Sequence, residues 1–244
     1  MANDFSLRTA GSVAAENSAF ARVLEDHGVD FCCHGDDPFP AACRKAGADP
    51  DEIAKELERA KDSPVRGGVD FAAWPTDLLC DYVLKIHHRG IRVRGPRINA
   101  LLEKVIAAHG ARHPELLEVR NLWSEIWDAV QMHLMKEERM LYPYIYELCD
   151  AEMSGRKAEP FHCGTVASPI SVMEAEHAEE GERHARIEEL THGYATPDDG
   201  CASYALLMKE LRDFRDAQHE HIHLENNLIF PRALEIESRV VDAF

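Results

Sequence analysis

The chain has 244 residues, of which 45% are hydrophobic and 29% are charged, and its formal net charge is −17. Length and composition indicate a globular protein with one main domain and a small appendage, and they exclude a disordered chain. The acidic balance and the lack of a basic stretch argue against a nucleic-acid partner, because phosphate binding requires a concentrated positive surface.

The N-terminal residues lack the basic start and apolar run of a signal peptide, and no later segment approaches the length of about 18 apolar residues that a membrane span needs. Seven cysteines at irregular positions are typical of free thiols in a reducing compartment rather than of a disulfide framework. We therefore expect a cytoplasmic protein without a membrane partner.

The N-terminal part of the chain predicts a small helical unit. Residues 12–27 have a helical pattern that Gly28 terminates, and Pro50 opens a second short helix. Between them lies the segment Asp30-Phe-Cys32-Cys33-His34. Because so small a unit buries little apolar surface, we expect it to be stabilised by a partner or by a dimer mate, as in a homodimer.

The stretch Lys61–Asp70 contains Pro, paired Gly and no apolar periodicity, and we interpret it as a linker. It separates a domain over residues 1–66 from a larger domain over residues 71–240. The larger domain predicts four long helices joined by turns that contain Gly and Pro. Their approximate ranges are 75–108, 114–149, 168–194 and 199–237.

Three prolines, Pro96, Pro143 and Pro231, fall inside or near the ends of these long helices, so kinks or early stops are expected. No strand-like alternation of any length occurs in the chain. The predicted fold class is therefore all-α.

The second and fourth long helices each carry an apolar stripe with spacings of three and four residues. In both stripes a His and a Glu replace apolar residues at two consecutive positions, His133 with Glu137 and His221 with Glu225. A buried carboxylate is costly unless it is paired or coordinates a metal. Metal coordination is therefore the simplest explanation for the His and the Glu in each stripe.

The two segments also match each other beyond these pairs. Each has a His, a Glu four residues later, an aliphatic residue four later still, and then an aromatic residue followed by Pro. A candidate histidine precedes each segment, with His87 lying 46 residues before His133 and His177 lying 44 residues before His221. The domain is therefore interpreted as two helix pairs related by an approximate repeat, each donating two His and one Glu to a site of the kind that helix bundles build.

Imidazole and carboxylate ligands suit iron, manganese or zinc, and the absence of cysteine from the stripes argues against an iron–sulfur cluster or a closed zinc site. Two bridging carboxylates would favour iron or manganese. The residues by themselves do not choose between these two metals.

These motifs resemble those of the repair-of-iron-centres family, the ScdA and YtfE type of di-iron protein that repairs iron–sulfur clusters. The Asp-Phe-Cys-Cys segment resembles that family's short N-terminal domain, and residues 75–237 resemble its hemerythrin-like domain. The matching segments are Lys85-Ile-His87-His-Arg, His133-Leu-Met-Lys-Glu137-Glu, Ile170-Ser-Val-Met-Glu-Ala-Glu-His177 and His221-Ile-His-Leu-Glu225-Asn-Asn-Leu-Ile-Phe-Pro-Arg-Ala233.

The resemblance implies a hemerythrin-like four-helix bundle preceded by a small helical N-terminal domain. It also implies a carboxylate-bridged pair of non-haem iron ions, with or without an oxo bridge, held by four terminal histidines and two bridging glutamates. These six residues are His87, His133, His177, His221, Glu137 and Glu225. The resemblance and the register with Val83 both select His87 over its neighbour His88.

Oxygen-carrying hemerythrins resemble this domain too, but they have a second histidine in the third helix where this chain has Gly181, and an aspartate where it has Asn226. Fewer imidazoles leave coordination positions open, which favours reactive or labile iron over oxygen storage. The chain departs from the repair family at His34, where Gly usually follows the cysteine pair, and at His184, a position that is commonly apolar.

Cys32 and Cys33 are adjacent, so their Cα atoms are about 3.8 Å apart, closer than disulfide geometry prefers. A redox relay, a mixed disulfide with a client and transient metal capture are the functional interpretations, and two packed thiols are the structural one. The other cysteines are interpreted as packing or surface thiols. They are Cys43, Cys80, Cys149, Cys163 and Cys201.

Three further residues invite a structural interpretation. His109 and His113 are interpreted as caps or surface residues, and Glu176 as part of a solvated face rather than of a path for solvent or iron.

The resemblance implies a stress-response protein that repairs iron–sulfur clusters damaged by nitric oxide or oxidants, with labile iron as the donated species and damaged iron–sulfur proteins as clients. Two other functions stay open. One is a di-iron nitric oxide reductase or peroxide-consuming enzyme that binds nitric oxide or an oxygen species at the open position. The other is a sensor whose N-terminal cysteines report redox state or nitric oxide.

Overall fold

In the computed structural model, the protein is built from helices throughout the residues that the structure describes, which are 5–61, 69–162 and 164–241. The predicted all-α class is confirmed. Most of the predicted linker, residues 62–68, lies outside these ranges. None of the helices within them combines the length and the apolarity that crossing a bilayer would require.

Four short helices lie in the N-terminal part: α1 (Ala10–Glu16), α2 (Ser18–Asp26), α3 (Phe39–Lys45) and α4 (Pro50–Ala60). Their inward faces enclose an apolar core that includes Phe5, Phe20, Leu24, Phe39, Ile53 and Leu57.

The prediction of one helix over residues 12–27 was wrong, because Asn17 divides the stretch into α1 and α2. Its backbone is extended, with φ −161° and ψ 134°, and its side chain accepts a hydrogen bond of 2.7 Å from the Ala19 N–H. An Asn in this position starts a new helix by satisfying an N–H that has no partner in the first turn. Gly28 does end the second helix, in the left-handed conformation with φ 66°.

Four long helical rods follow within the described residues from 69 onward, close to the four predicted ranges. Three of them are interrupted by a short π-helical segment. Their parts are α5 (Thr76–Tyr82), π1 (Val83–His88) and α6 (Arg89–His109); α7 (Glu115–Lys136), π2 (Glu137–Leu141) and α8 (Tyr142–Ser154); α9 (Ala167–Leu190); and α10 (Ala202–Leu224), π3 (Glu225–Ile229) and α11 (Phe230–Val240).

By compactness the chain divides into two units. One contains the N-terminal part, residues 144–170 and the chain from residue 220 onward, and the other contains residues 82–143 and 171–219. This division does not follow the predicted linker, and the domain boundaries at residues 66 and 71 stay a prediction.

The second unit contains parts of α6, α7, α9 and α10 around one apolar core, which confirms the four-helix bundle. Trp123 and Phe214 lie at its centre with their rings 4.8 Å apart in an edge-to-face arrangement. The Trp123 indole N–H donates to Asn99 Oδ1 at 2.5 Å, so the polar atom of this buried ring is satisfied.

Candidate metal centre

Glu137 is the first residue of π2, and the sequence around it explains the wide turn. The Tyr142 N–H donates to the Glu137 carbonyl, five residues back instead of four. Pro143 follows at once, and in a regular α-helix its ring would clash with the carbonyl of Arg139. A turn with hydrogen bonds between residues five apart avoids that conflict, and such turns are frequent at functional sites.

The fourth rod repeats this local structure. Glu225 opens π3, the Phe230 N–H donates to its carbonyl, and Pro231 follows. The repeated sequence of Glu, aliphatic, aromatic and Pro therefore produces the same wide turn twice. In both rods the glutamate stands at the start of that turn.

Three predicted ligands converge in the second unit: His133, Glu137 and His177. His133 Nε2 lies 3.0 Å from Glu137 Oε1 and 3.0 Å from His177 Nε2. One ligand atom from each residue lies within 4.8 Å of those of the other two, and all three side chains are buried. This is the donor spacing of a metal site built from helix side chains.

The position of the proton on His133 supports the interpretation as a metal site. Its Nδ1 lies 2.8 Å from Oε2 of Glu176, and the hydrogen bonds of Glu176 with His133 first and Lys136 second lower the Glu176 pKa to about 2 against the effect of burial. A carboxylate can only accept, so Nδ1 carries a proton, and in the neutral ring Nε2 therefore presents a lone pair to Glu137 and His177. One proton on His177 would satisfy one of these contacts, whereas a metal cation satisfies all of them. The donor set therefore fits iron.

His88 repeats the arrangement of His133. Its Nε2 lies 3.4 Å from Oε2 of Glu137, and its Nδ1 lies 2.8 Å from Oε1 of Glu138. Arg92 holds that carboxylate with two hydrogen bonds of 2.7 and 3.1 Å. Burial raises the pKa of Glu138, but the hydrogen bonds from Arg92 and His88 outweigh it and leave the pKa below its ordinary value.

His87, the residue selected from the sequence, is buried with its ring 5.3 Å from that of Tyr82. In a regular α-helix Val83 and His87, four residues apart, share a face. Within π1 the turn is wider, and Val83 and His88, five residues apart, are both wholly buried. The choice of His87 as ligand stays a prediction.

In the first unit, His221 Nε2 lies 3.2 Å from Glu225 Oε2, and both side chains are buried. This pair has nearly the geometry of His133 with Glu137. The repeat seen in the sequence is therefore also a repeat of side-chain geometry.

The cysteine pair is held against π3, within the first unit. Asn226, the residue after Glu225, donates to the Cys32 carbonyl at 3.0 Å, and Asn227 donates to the Phe31 carbonyl at 2.8 Å. Asn226 thus binds the cysteine segment at the position where oxygen carriers have an aspartate ligand.

Cys32 and Cys33 are free thiols with their sulfur atoms 3.8 Å apart. The hydrogen bond with Cys33 and burial raise the pKa of Cys32 well above its ordinary value. The carboxylate of Asp30 accepts from the N–H groups of both cysteines and lies 2.7 Å from Nδ1 of His34. The redox role of the pair stays a prediction.

His184 belongs to a separate buried cluster in the second unit. Its Nε2 lies 3.6 Å from Oε1 of Glu180, which also accepts a hydrogen bond from Gln218. Of the other cysteines, Cys43 and Cys80 are buried and Cys201 is exposed, whereas Cys163 lies outside the described residues.

The sequence did not identify Glu138 and Arg92, and it assigned Glu176 to a solvated face. Glu176 is instead only a third exposed, and it orients His133 together with Lys136. One signal was available, because each of the two glutamates is adjacent in sequence to a predicted ligand, Glu138 to Glu137 and Glu176 to His177.

Comparison with known proteins extends this picture. Residues 6–61 match ScdA_N, a domain of unknown function, and residues 81–233 match the hemerythrin HHE cation binding domain. The iron-sulfur cluster repair protein YtfE of Pectobacterium carotovorum subsp. carotovorum (strain PC1) is 31% identical over 227 residues, which are 93% of this chain and 96% of that protein.

The proteins of the same name from Yersinia pseudotuberculosis serotype IB (strain PB1/+) and Yersinia pestis (strain Pestoides F) are each 29% identical over 234 residues, which are 96% of this chain and 100% of either protein. Both matched domains and nearly the full length of the relatives are thus present. The chain belongs to the YtfE-type family of iron–sulfur cluster repair proteins, in which an ScdA N-terminal domain precedes a hemerythrin cation-binding domain.

Proposed function

We propose that the protein binds two non-haem iron ions and repairs iron–sulfur clusters damaged by nitrosative or oxidative stress by donating this iron. The proposed ligands are two bridging glutamates and four terminal histidines, with His88 favoured over His87 at one position. They are Glu137, Glu225, His88 or His87, His133, His177 and His221.

The observation that carries the proposal is the buried convergence of His133, Glu137 and His177, with Glu176 fixing the lone pair of His133 toward the other two. The pair His221 and Glu225 repeats this donor chemistry. Both sets lie within the match to a cation-binding family over residues 81–233, which supports metal binding by this part of the chain. The repair role is supported by the names of the relatives, each an iron-sulfur cluster repair protein.

Iron donation requires that the ligands release the metal. The third rod provides one imidazole at His177 and has Gly181 one turn later, so that rod offers no second histidine at that position. Histidine ligands must be neutral to bind, and their ordinary pKa is about 6.5. We therefore expect acidification below about pH 6 to release the iron.

Release is measured with the iron-loaded protein and a colorimetric chelator across a pH series. The expected result is loss of both irons well above pH 4. Retention of both irons at pH 4 in the presence of the chelator would contradict the proposed lability. Glu182→Gln, an exposed change in α9, is the matched control and should release iron as the unmodified protein does.

The repair role is tested by incubating the iron-loaded protein with an apo iron–sulfur protein and a sulfide source. We expect a cluster to form on the acceptor while this protein loses iron. Glu137→Ala and Glu225→Ala should abolish the transfer, because each removes a bridging ligand. Catalytic consumption of nitric oxide or peroxide without transfer would favour the enzyme, and neither activity would favour the sensor.

A further inference from the structure

A second cluster of buried polar side chains lies inside the second unit, where α9 meets α10. Glu180 and His184 are four residues apart on α9, and Gln218 belongs to α10. All three are enclosed, with 4%, 3% and 1% of their surfaces exposed. A buried carboxylate and a buried imidazole are costly unless they are paired or coordinate a metal. The contacts within this cluster show which of the two explanations applies.

The imidazole of His184 faces the carboxylate of Glu180 without bonding to it. Within the described part of the chain, its Nε2 is enclosed with no hydrogen-bond partner, and it lies 3.6 Å from Oε1 of Glu180. Hydrogen bonds from nitrogen to oxygen are about 2.7–3.2 Å long, so this separation is too wide for one. Two ligand atoms that each lie about 2.1 Å from one tetrahedral metal are about 3.4 Å apart. The distance therefore suits a shared cation better than a shared proton.

Glu180 supplies an anionic oxygen at neutral pH. Burial raises the pKa of its carboxyl, but the proximity of His184 and then of Gln218 outweighs burial and lowers the pKa to about 2. Gln218 Nε2 donates to the same Oε1 at 2.5 Å, so the amide lies directly beside the carboxylate. Rotation of that amide about one bond presents its oxygen in place of its N–H. The three side chains thus offer one nitrogen and two oxygen ligands.

The pair on α9 has, in reverse order, the donor chemistry of a pair already described. His133 and Glu137 are also four residues apart and buried, with Nε2 3.0 Å from Oε1. The two places are nevertheless distinct, because His184 follows His177 by seven residues, which is about 10 Å along a helix. Metal–ligand bonds are about 2 Å long, so one ion cannot bind both histidines of α9.

We propose that Glu180, His184 and Gln218 bind one divalent cation of the first transition series, in addition to any metal held by the proposed iron ligands. Imidazole nitrogen with carboxylate and amide oxygens suits iron, cobalt or zinc, whereas magnesium and calcium take oxygen ligands. The ion links α9 to α10 and stabilises the bundle, because its ligands are assembled only in the folded chain. The proposal does not depend on which metal the other histidines bind.

The experiment is equilibrium dialysis of the iron-loaded protein against Zn²⁺ near neutral pH, with zinc and iron both counted by metal analysis. We expect the unmodified protein to take up one more zinc per chain than Glu180→Gln, while its iron content stays unchanged. Glu180→Gln keeps the shape of the side chain and removes its charge. His184→Leu removes the imidazole and should lose the same zinc. Glu179→Gln, an exposed change next to Glu180, is the matched control and should keep it.

The position of the ion is determined by anomalous scattering from crystals of the zinc-loaded protein. We expect a zinc peak about 2.1 Å from Nε2 of His184. Added zinc should also raise the unfolding temperature of the unmodified protein and of Glu179→Gln, but not that of Glu180→Gln.

Three results would each overturn the proposal: zinc that enters only as iron leaves, equal zinc uptake by Glu180→Gln and Glu179→Gln, or crystals without a zinc peak beside His184. The cluster would then be a buried ion pair without metal. The crystal result uses the unmodified protein, so it decides the question even if Glu180→Gln does not fold. A protein without iron at the other ligands would still show the difference of one zinc, which keeps this test separate from the proposed iron binding.

Discussion

Two histidines that are adjacent in sequence, His87 and His88, have different contacts in the structure. His88 faces Glu137 and has its second nitrogen on Glu138, whereas His87 packs against Tyr82. A metal-binding histidine normally donates its other ring N–H to a carboxylate, which fixes the ring and increases its basicity. His88 has such a partner, and so does His133.

We therefore expect His88→Gln to lower the iron content of the purified protein from two per chain toward one, because the substitution removes an imidazole beside Glu137. His87→Gln, the matched control, should leave the iron content near two. Both are measured by metal analysis together with the visible spectrum. If only His87→Gln loses iron, His87 is the ligand, as the register of an unbroken α-helix predicts. The proposed role of His88 would then be wrong.

At the scale of elements, the repeated pairing of glutamate with a wide turn is encoded locally. Pro143 and Pro231 each follow a π segment, and each is incompatible with an α-helical hydrogen bond at its own position. Pro96, in contrast, lies inside α6 without stopping it. A proline therefore predicts a disturbance of the helix, but its sequence neighbours do not tell whether the helix widens, bends or ends.

Helix packing in the bundle depends on one close approach between α6 and α7. A Cβ added at Gly95 would lie 1.9 Å from Cζ3 of Trp127, so only glycine fits there without displacing the indole ring. Gly90 is in the same helix, and a Cβ at that position meets nothing within 4 Å. Substitution of Gly95 therefore tests side-chain packing, whereas substitution of Gly90 tests only helix propensity.

Gly95→Ala is expected to lower the free energy of unfolding by about 1–3 kcal/mol through overpacking. Gly90→Ala should raise it by about 0.5–1 kcal/mol, because alanine loses less conformational entropy than glycine in a helix. Thermal unfolding followed by circular dichroism measures both. An unfolding temperature for Gly95→Ala at or above that of the unmodified protein would show that Trp127 moves freely and that the contact does not constrain the bundle.

At the scale of the whole molecule, the N-terminal part is joined to the last rod by a few specific hydrogen bonds in the first unit. Asn227 donates to the Phe31 carbonyl, and its side chain lies so close to Gly11 that a Cβ there would be 2.1 Å from Oδ1. Cys32, one residue after Phe31, is 4% exposed. The accessibility of the Cys32 thiol therefore depends on how firmly this segment is held.

Asn227→Ala should increase the rate at which Cys32 reacts with N-ethylmaleimide about tenfold, because loss of the hydrogen bond to the half-buried Phe31 carbonyl costs about 1 kcal/mol and favours opening of the segment. The modification is followed by mass spectrometry under native conditions. Asn121→Ala, an exposed change in α7, is the control and should not alter the rate. An unchanged rate in Asn227→Ala would mean that other contacts hold the cysteine segment.

The sequence by itself determined the all-α class, the four long rods and the two His and Glu pairs, His133 with Glu137 and His221 with Glu225. These are local properties, since helical periodicity and the spacing of four residues are visible within one helix. The break at Asn17 was missed, although it too is local, because the apolar pattern continues through it.

Only the tertiary structure decided which groups surround those pairs. Glu176 reaches His133 across 43 positions of sequence and Glu138 reaches His88 across 50, and each contact joins two different helices. Such contacts depend on how the helices are rotated about their axes, and a π turn changes that rotation.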